Sequence, residues 1–186
     1  MDLVLLKPGK PDLIDLGSSL IDGSLVDLDI DISSCIELVS SHFGMKQQMT
    51  TDVSNSARTS GRPVLHDITA VKYLDHSSPL LYKHCLSAIP IDDGETPTQI
   101  FLCRNSNEDD SGSIIGNIMT IKLWNCMISS VEAQSHPNDM ATEQITLNFT
   151  DIEWVASHQN SQAVTTGHKA YSWSVARNRG LSLKSG

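Results

Sequence analysis

The chain has 186 residues, with 13 Lys and Arg against 22 Asp and Glu, which gives a formal charge of −9 at pH 7. A chain of this length fits one domain, so we expect residues 1–186 to fold around a single core without help from disulfides or metals. The negative charge repels nucleic acid phosphates and anionic lipid head groups. We therefore expect no nucleic acid partner.

The amino terminus carries no export or membrane signal. It has no basic start, no long apolar stretch and no cleavage site, so the sequence predicts no Sec-type signal peptide. Nowhere does the sequence contain about 18 consecutive apolar residues, which predicts no direct membrane insertion. If such a protein leaves its cell, another machine must export it.

The first predicted strand covers residues 25–32, in which aliphatic and acidic side chains alternate. A period of two is typical of a half-buried strand. A second apolar run, Cys35 to Val39, is predicted to continue this strand or pair with it.

The acidic face of this strand consists of Asp27, Asp29 and Asp31. Clustered carboxylates can bind calcium or act as acid and base. However, the helix-flanked calcium loop needs glycine at its sixth position and glutamate at its twelfth, and counting from Asp27 gives Ile32 and Leu38. We expect a solvated strand face and no metal.

Residues 44–63 are polar and rich in Ser, Thr, Gln and Gly, which predicts a long extended loop. Loops of about 20 residues are uncommon inside a compact domain and usually bind something or lack order. A cationic stretch lies within this loop: Arg58, Thr59, Ser60, Gly61 and Arg62. Two arginines on an acidic subunit offer a complementary contact to another copy, so these residues are the predicted subunit interface.

A single helix is predicted at about residues 79–89. A serine before it can cap the free amides, Pro79 suits its first position, and Pro90 ends it. One apolar stripe recurs at spacings of three and four and is predicted to face the core: Leu81, Cys85, Ala88 and Ile89.

The other predicted elements are strands separated by polar turns: 64–74, 98–104, 117–131, 143–155 and 170–176. Within the third of these the apolar face changes parity near Trp124, which indicates a bulge or bend. Long, bent strands with one helix favour a mainly β barrel or sandwich over an alternating βα fold.

No residue pattern indicates catalysis or metal binding. The seven histidines include no H-E-x-x-H, the four cysteines include no C-x-x-C, and the nucleophile-elbow, phosphate-loop and dinucleotide motifs do not occur. The cysteines lie among apolar neighbours and are predicted to be reduced core residues. His66 and Asp67 are adjacent, but consecutive strand residues point to opposite faces. We expect no enzyme, no cofactor and no catalytic residue.

Several segments, in chain order, resemble the haemolysin-coregulated protein (Hcp) family, the tube proteins of bacterial type VI secretion. They are MDLVLL at 1–6, RTSGR at 58–62, VKYLDHSSP at 71–79 and EQITLNF at 143–149. Residues 171–178 also resemble the last strand of that family. The Asp-rich segment at 27–31 and the acidic insertion at 107–110 depart from its commoner pattern.

This resemblance implies a compact β-barrel of two antiparallel sheets with one helix beside it. It implies a homo-hexameric ring, stacking of rings into the inner tube, and a long loop that reaches towards the next ring. The implied partners are a spike protein at the tip, a contractile sheath, a baseplate and small effectors in the lumen. The implied localisation is the bacterial cytoplasm, followed by secretion to the extracellular space or a target cell.

Three alternatives stay open from the sequence. The tail-tube protein of a phage-like contractile particle would share the barrel and the stacking loop. A β-sandwich that binds carbohydrate or calcium would use Asp27, Asp29 and Asp31 with a nearby tryptophan. A hydrolase would need a triad, for which the sequence supplies no candidate.

Overall fold

A computed structural model describes residues 3–10, 34–51, 58–105, 115–159 and 165–182. These residues form one α-helix and fifteen strands. The helix α1 covers Ser78–Ser87. The strands in chain order are β1 Leu3–Lys7, β2 Ile36–Leu38, β3 Ser40–His42, β4 Met45–Lys46, β5 Met49–Thr51, β6 Arg58–Ser60, β7 Val64–Leu65, β8 Ile68–Tyr73, β9 Thr98–Asn105, β10 Ile115–Trp124, β11 Met127–Gln134, β12 Thr142–Asn148, β13 Asp151–Gln159, β14 Thr165–Ser174 and β15 Arg179–Leu181.

The strands form two main sheets, and every pairing is antiparallel. The larger sheet has seven strands in the order β15-β14-β13-β10-β9-β1-β2, and the smaller has four in the order β11-β12-β8-β3. Two further ribbons pair β4 with β7 and β5 with β6. The predicted mainly β fold of two antiparallel sheets with one helix is confirmed for the described residues. Closure of the sheets into a barrel stays a prediction.

Two strands pass from one sheet to the other at a shared corner. β10 pairs with β13 in the larger sheet, and their continuations β11 and β12 pair in the smaller one. At the corner Asn125 has a left-handed backbone with φ of 51°, and its side chain donates to Thr150 Oγ1 at 2.9 Å. The backbone N–H of Thr150 also donates to the carbonyl oxygen of Trp124 at 3.1 Å. The bend predicted near Trp124 is this corner.

The predictions of single strands over 117–131 and 143–155 were wrong, because each segment holds two strands in different sheets. The predicted segment 64–74 also divides, into β7 and β8. The strand predicted at 25–32 and the aspartates on it lie outside the described residues. The predicted strands at 98–104 and 170–176 correspond to β9 and β14, and the run Cys35 to Val39 contains β2.

The core lies between the two sheets and consists of aliphatic side chains from both. Fully buried members include Ile100, Ile121 and Leu123 from the larger sheet. Ile68, Ile145 and Leu147 face them from the smaller sheet. Each such side chain contributes about 1.5–3 kcal/mol of favourable transfer free energy.

Three of the four cysteines are buried, as predicted, and Cys85 is half-buried. Burial raises the pKa of the Cys103 thiol to about 12, with a smaller contribution from neighbouring Cys35. This thiol therefore stays protonated at neutral pH, and its role is packing.

The helix begins one residue before its predicted start and ends two residues before its predicted end. Ser77 occupies the N-cap, but its hydroxyl donates to Asp75 Oδ1 at 2.6 Å instead of capping a helix amide. The predicted serine cap is therefore wrong. The chain leaves the helix at Ala88, whose φ is 50°, so that the N–H of Ile89 donates to the carbonyl of His84 at 3.1 Å.

The predicted apolar stripe of the helix is only partly correct. Leu81 is buried and Cys85 is half-buried, but Ala88 and Ile89 are exposed because the chain has already turned away at Ala88. The buried helix positions are Ser78, Leu81 and His84. No helix among the described residues is long and apolar enough to cross a membrane.

Candidate assembly surface

Residues 44–51 and 58–66, here together called the extended hairpin, form two antiparallel arms that extend from β3 and β8. Met45 pairs with Leu65, and Met49 pairs with Ser60. Between the paired strands, the N–H of Gly61 donates to the carbonyl of Gln48 at 2.7 Å, and the Gln47 side-chain amide donates to the Gly61 carbonyl at 2.5 Å. At about 3.3 Å per residue, the first arm from residue 44 to residue 51 extends for roughly 25 Å.

The extended loop predicted over 44–63 is, over its described part, a β-ribbon of short paired strands. A ribbon that packs on no sheet face has no need of alternating apolar residues, so the period-two signal is missing. Gly61 suits the close approach of the two arms, because an added Cβ would lie 3.1 Å from the Cβ of Gln48.

The extended hairpin exposes large apolar side chains to solvent. Met45, Met49 and Val64 are 58%, 61% and 52% exposed. Methionine adapts to irregular partner surfaces, and grouped exposed apolar side chains mark interaction sites. Two exposed cations, Lys46 and Arg62, accompany them. This mixture of apolar and cationic side chains suits contact with another protein better than contact with water.

The predicted interface residues lie in the second arm of the extended hairpin. Arg58, Thr59 and Ser60 form β6, and their backbones pair with Thr51, Thr50 and Met49. Gly61 and Arg62 follow and are exposed. All five predicted residues thus lie together on one arm of the hairpin, while their contact with another subunit stays a prediction.

A buried polar cluster, which the sequence analysis did not identify, fixes the helix to the smaller sheet. Lys72 Nζ on β8 lies 2.9 Å from Glu143 Oε1 on β12 and 2.9 Å from Asp75 Oδ1. From the helix, Ser78 Oγ donates to Glu143 Oε1 at 2.7 Å, and Tyr82 OH donates to Glu143 Oε2 at 2.7 Å. Both Lys72 and Glu143 are almost completely buried. We call these five residues the helix clamp.

The clamp shifts the pKa values of its outer members. The hydrogen bond to Glu143 is the largest of the effects that raise the pKa of Tyr82 to about 12, so this phenol stays protonated. For Asp75, burial favours the neutral acid, but hydrogen bonds from Ser77 and Lys72 outweigh it and lower the pKa of the carboxyl below its usual value. Asp75 is therefore ionised beside Lys72 at neutral pH.

The sequence does contain a signal for the clamp. Lys72 follows Ile68 and Ala70 at the inward positions of β8, and Glu143 precedes Ile145 on the inward face of β12. A charged residue at an inward position needs a buried partner, and the register sets Lys72 directly opposite Glu143. Both residues also lie in segments that carry the family resemblance.

A second polar junction ties the base of the extended hairpin to the corner strands. Asp67, between β7 and β8, accepts hydrogen bonds from Ser129 Oγ at 3.0 Å and from Asn148 Nδ2 at 2.9 Å. The backbone N–H of adjacent His66 donates to the Gly44 carbonyl at 3.0 Å. His66 and Asp67 therefore make separate structural contacts, and both lie between β7 and β8, not on the strand predicted there.

Among the described residues, no group of three or more His, Cys, Asp or Glu side chains could hold a metal ion. The aspartates at 27, 29 and 31 lie outside the described residues. Trp154 and Trp173 pack against the core, and the Trp154 ring stacks on Tyr171 with centroids 6.4 Å apart. These contacts agree with a packing role for the tryptophans.

Comparison with known protein families decides the assignment. The family described as "Type VI secretion system effector, Hcp" matches residues 16–155. The chain belongs to the Hcp family. The predicted resemblance is thereby confirmed, and this Hcp protein shares its fold with solved structures of type VI secretion proteins. No curated protein matches the sequence closely enough to count as a relative.

Three solved structures illustrate the shared fold. A type six secretion system protein aligns with a TM-score of 0.75 and 14% identity, over 97% of this chain and 100% of that one. Hcp1 from Salmonella typhimurium aligns with a TM-score of 0.60 and 16% identity, over 97% of this chain and 99% of that one. A type VI secretion system effector from Yersinia pestis aligns with a TM-score of 0.62 and 16% identity, over 92% of this chain and 99% of that one. The fold is thus kept at low sequence identity.

Proposed function

We propose that this Hcp protein is the structural subunit of a type VI secretion inner tube. Six copies form a ring, and rings stack into a hollow rod. The observation that carries this proposal is the family match over residues 16–155. The protein then acts mechanically and needs no active site, in keeping with a chain in which sequence motifs for catalysis are missing.

The extended hairpin supplies a physical means for stacking. A ribbon about 25 Å long can cross the boundary between two rings, and Met45, Met49 and Val64 gain favourable free energy when a partner covers them. The cationic stretch from Arg58 to Arg62 adds electrostatic attraction to an acidic neighbouring copy. We assign the hairpin to the contact between rings.

The remaining partners follow from the same proposal. A contractile sheath drives the rod outward from a baseplate, a spike protein caps its tip, and small effectors travel in the lumen. The protein is made in the bacterial cytoplasm and leaves the cell as part of the rod, which requires no signal peptide. Family membership supports this route.

The native mass of the purified protein tests the proposal. Size-exclusion chromatography with light scattering should give a mass near six chains, about 120 kDa from a chain of 20.3 kDa. Negative-stain electron microscopy of the same fraction should show annular particles. A monomer at every concentration tested, with no annular particles, would contradict ring formation.

A further inference from the structure

The charges of this protein are unevenly distributed along the chain. All 22 Asp and Glu residues lie within residues 1–153, together with nine of the 13 Lys and Arg residues. Residues 154–186 contain no carboxylate side chain and four cations. The carboxyl-terminal strands are therefore electropositive on a subunit that is otherwise strongly acidic.

The structure places three of these cations on one edge of the larger sheet. Lys169 lies on β14, Arg177 lies in the turn that follows it, and Arg179 begins β15, which ends the sheet. All three are exposed, and none of them has an ion-pair partner among the described residues. We call these three residues the basic edge.

The turn that carries the basic edge is held in place by the corner between the two sheets. The N–H of Val175 donates to the carbonyl of Thr150 at 2.8 Å, and the N–H of Arg177 donates to Ser174 Oγ at 3.2 Å. Asn178 then takes a left-handed backbone with φ of 51°, which returns the chain into β15. Charges on an anchored turn lose little backbone entropy on binding.

An exposed aromatic side chain adjoins these charges. Tyr171 on β14 is 56% exposed and stacks on Trp154 of the neighbouring strand. Its hydroxyl lies against Gly180 of β15, so the ring covers part of the edge strand. Tyr and Arg are enriched in protein interfaces, where they combine apolar area with polar groups.

We propose that the basic edge docks against an acidic surface of a second copy of this chain. This inference rests on the proposed ring and names one of the surfaces by which its subunits meet. A closed ring needs head-to-tail contact between two different surfaces, and this chain offers both signs of charge. Opposed charges favour that contact and disfavour contact between two basic edges or two acidic surfaces.

The test compares ring formation in variants with matched loss of charge. Arg177→Gln with Arg179→Gln removes two charges from the basic edge, and the control, Lys10→Gln with Lys83→Gln, removes two exposed cations outside it. We expect the double variant to need about tenfold more protein for half-assembly at low salt, and the control to match wild type. Raising the salt from about 50 to 500 mM should weaken ring assembly of the wild type, so that its half-assembly concentration approaches that of the double variant.

Carbodiimide coupling, which joins amines to carboxylates in direct contact, provides a second measurement. In assembled wild type, Lys169 should couple to an Asp or Glu of another copy, as identified by mass spectrometry. Lys169→Arg keeps the charge and should assemble normally, but it should lose this crosslink.

The outcomes separate this inference from the proposed function. A wild type that forms no rings contradicts the ring and the inference that rests on it. Rings that form equally well in the double variant and at high salt, with no Lys169 crosslink, overturn the inference alone. Binding of a DNA oligonucleotide by wild type but not by the double variant, with ring formation unchanged, would also overturn it.

Discussion

The extended hairpin and the helix clamp differ in which side chains they expose to solvent and which they bury. In the hairpin, apolar side chains such as Met45 and Met49 face solvent, whereas in the clamp the charged side chains of Lys72 and Glu143 are buried. Among the described residues nothing covers this apolar surface, which leaves it open to a partner. The buried charges fix one arrangement of helix and sheet, because few alternatives would satisfy them. We therefore expect the hairpin to serve assembly and the clamp to serve the fold of the single subunit.

The largest effect is expected for Glu143→Gln, which leaves Lys72 buried without its main counter-charge. Removal of one partner of a buried ion pair costs about 3–5 kcal/mol, and chemical denaturation should show this loss in the free energy of unfolding. Glu132→Gln, at an exposed position on the adjacent strand β11, is the control and should change the free energy by less than about 0.5 kcal/mol. Equal stability of the two variants would mean that the clamp does not hold the helix.

A smaller effect is expected for Tyr82→Phe, which removes one hydrogen bond to the Glu143 carboxylate and keeps the ring. Hydrogen bonds to charged groups contribute about 1.5–3 kcal/mol to the free energy of unfolding. Because Tyr82 is only half-buried, we expect a loss at the lower end of this range. Tyr73→Phe on β8 is the control, since that side chain is exposed. Thermal unfolding should separate the two variants, and a Tyr82→Phe protein as stable as wild type would contradict the assigned bond.

The contribution of Asp75 should depend on pH. Its folded pKa lies below the usual 3.8, so the ionised form stabilises the fold above that value and the contribution is lost as the pH falls through the folded pKa. Denaturation of wild type and Asp75→Asn should therefore differ at pH 6, and the difference should shrink as the pH falls below 3.8. If the stability difference between the two proteins grew on acidification, the assigned direction of the Asp75 pKa shift would be wrong.

The smallest effect on folding is expected in the extended hairpin. Met45→Ser with Met49→Ser removes exposed apolar groups, so the free energy of unfolding of the single subunit should change by less than about 0.5 kcal/mol. The same variant should still form rings but should lose stacking into tubes, which electron microscopy can measure. Met140→Ser changes a similarly exposed methionine outside the hairpin and is the control. Tubes of normal length in the hairpin variant would contradict its assignment to ring stacking.

These two regions also differ in how far the sequence predicts them. Composition drew attention to residues 44–63, but their pairing left no period-two signal, because Met45, Lys46 and Met49 on the first arm are all exposed. The clamp joins Lys72 to Glu143, residues 71 positions apart, whose meeting depends on strand register. The sequence shows each of these two residues as a charge at an inward strand position. Only the strand register shows that they are partners.

Elements packed on the core were predicted best. Strand β9 had a clear apolar pattern, because Ile100 and Cys103 pack in the core. The helix was located mainly by Pro79 and Pro90, since Leu81 is the one fully buried member of its predicted stripe. In the sequence, the corner at Asn125 and Thr150 was visible only as a switch of the apolar residues from one side of the predicted strand to the other. Such a switch does not reveal that the chain enters another sheet. The basic edge was missed because a single net charge averages over the whole chain.

The corner also determines how the subunit bears mechanical load. Because β10 runs into β11 and β12 runs into β13 at neighbouring points, force applied to one sheet reaches the other through two covalent backbones lying side by side. Shearing the sheets apart would require several ladder hydrogen bonds to break together, and no flexible linker is available there to stretch first. A subunit built in this way can be pushed from one end and move as a single rigid body.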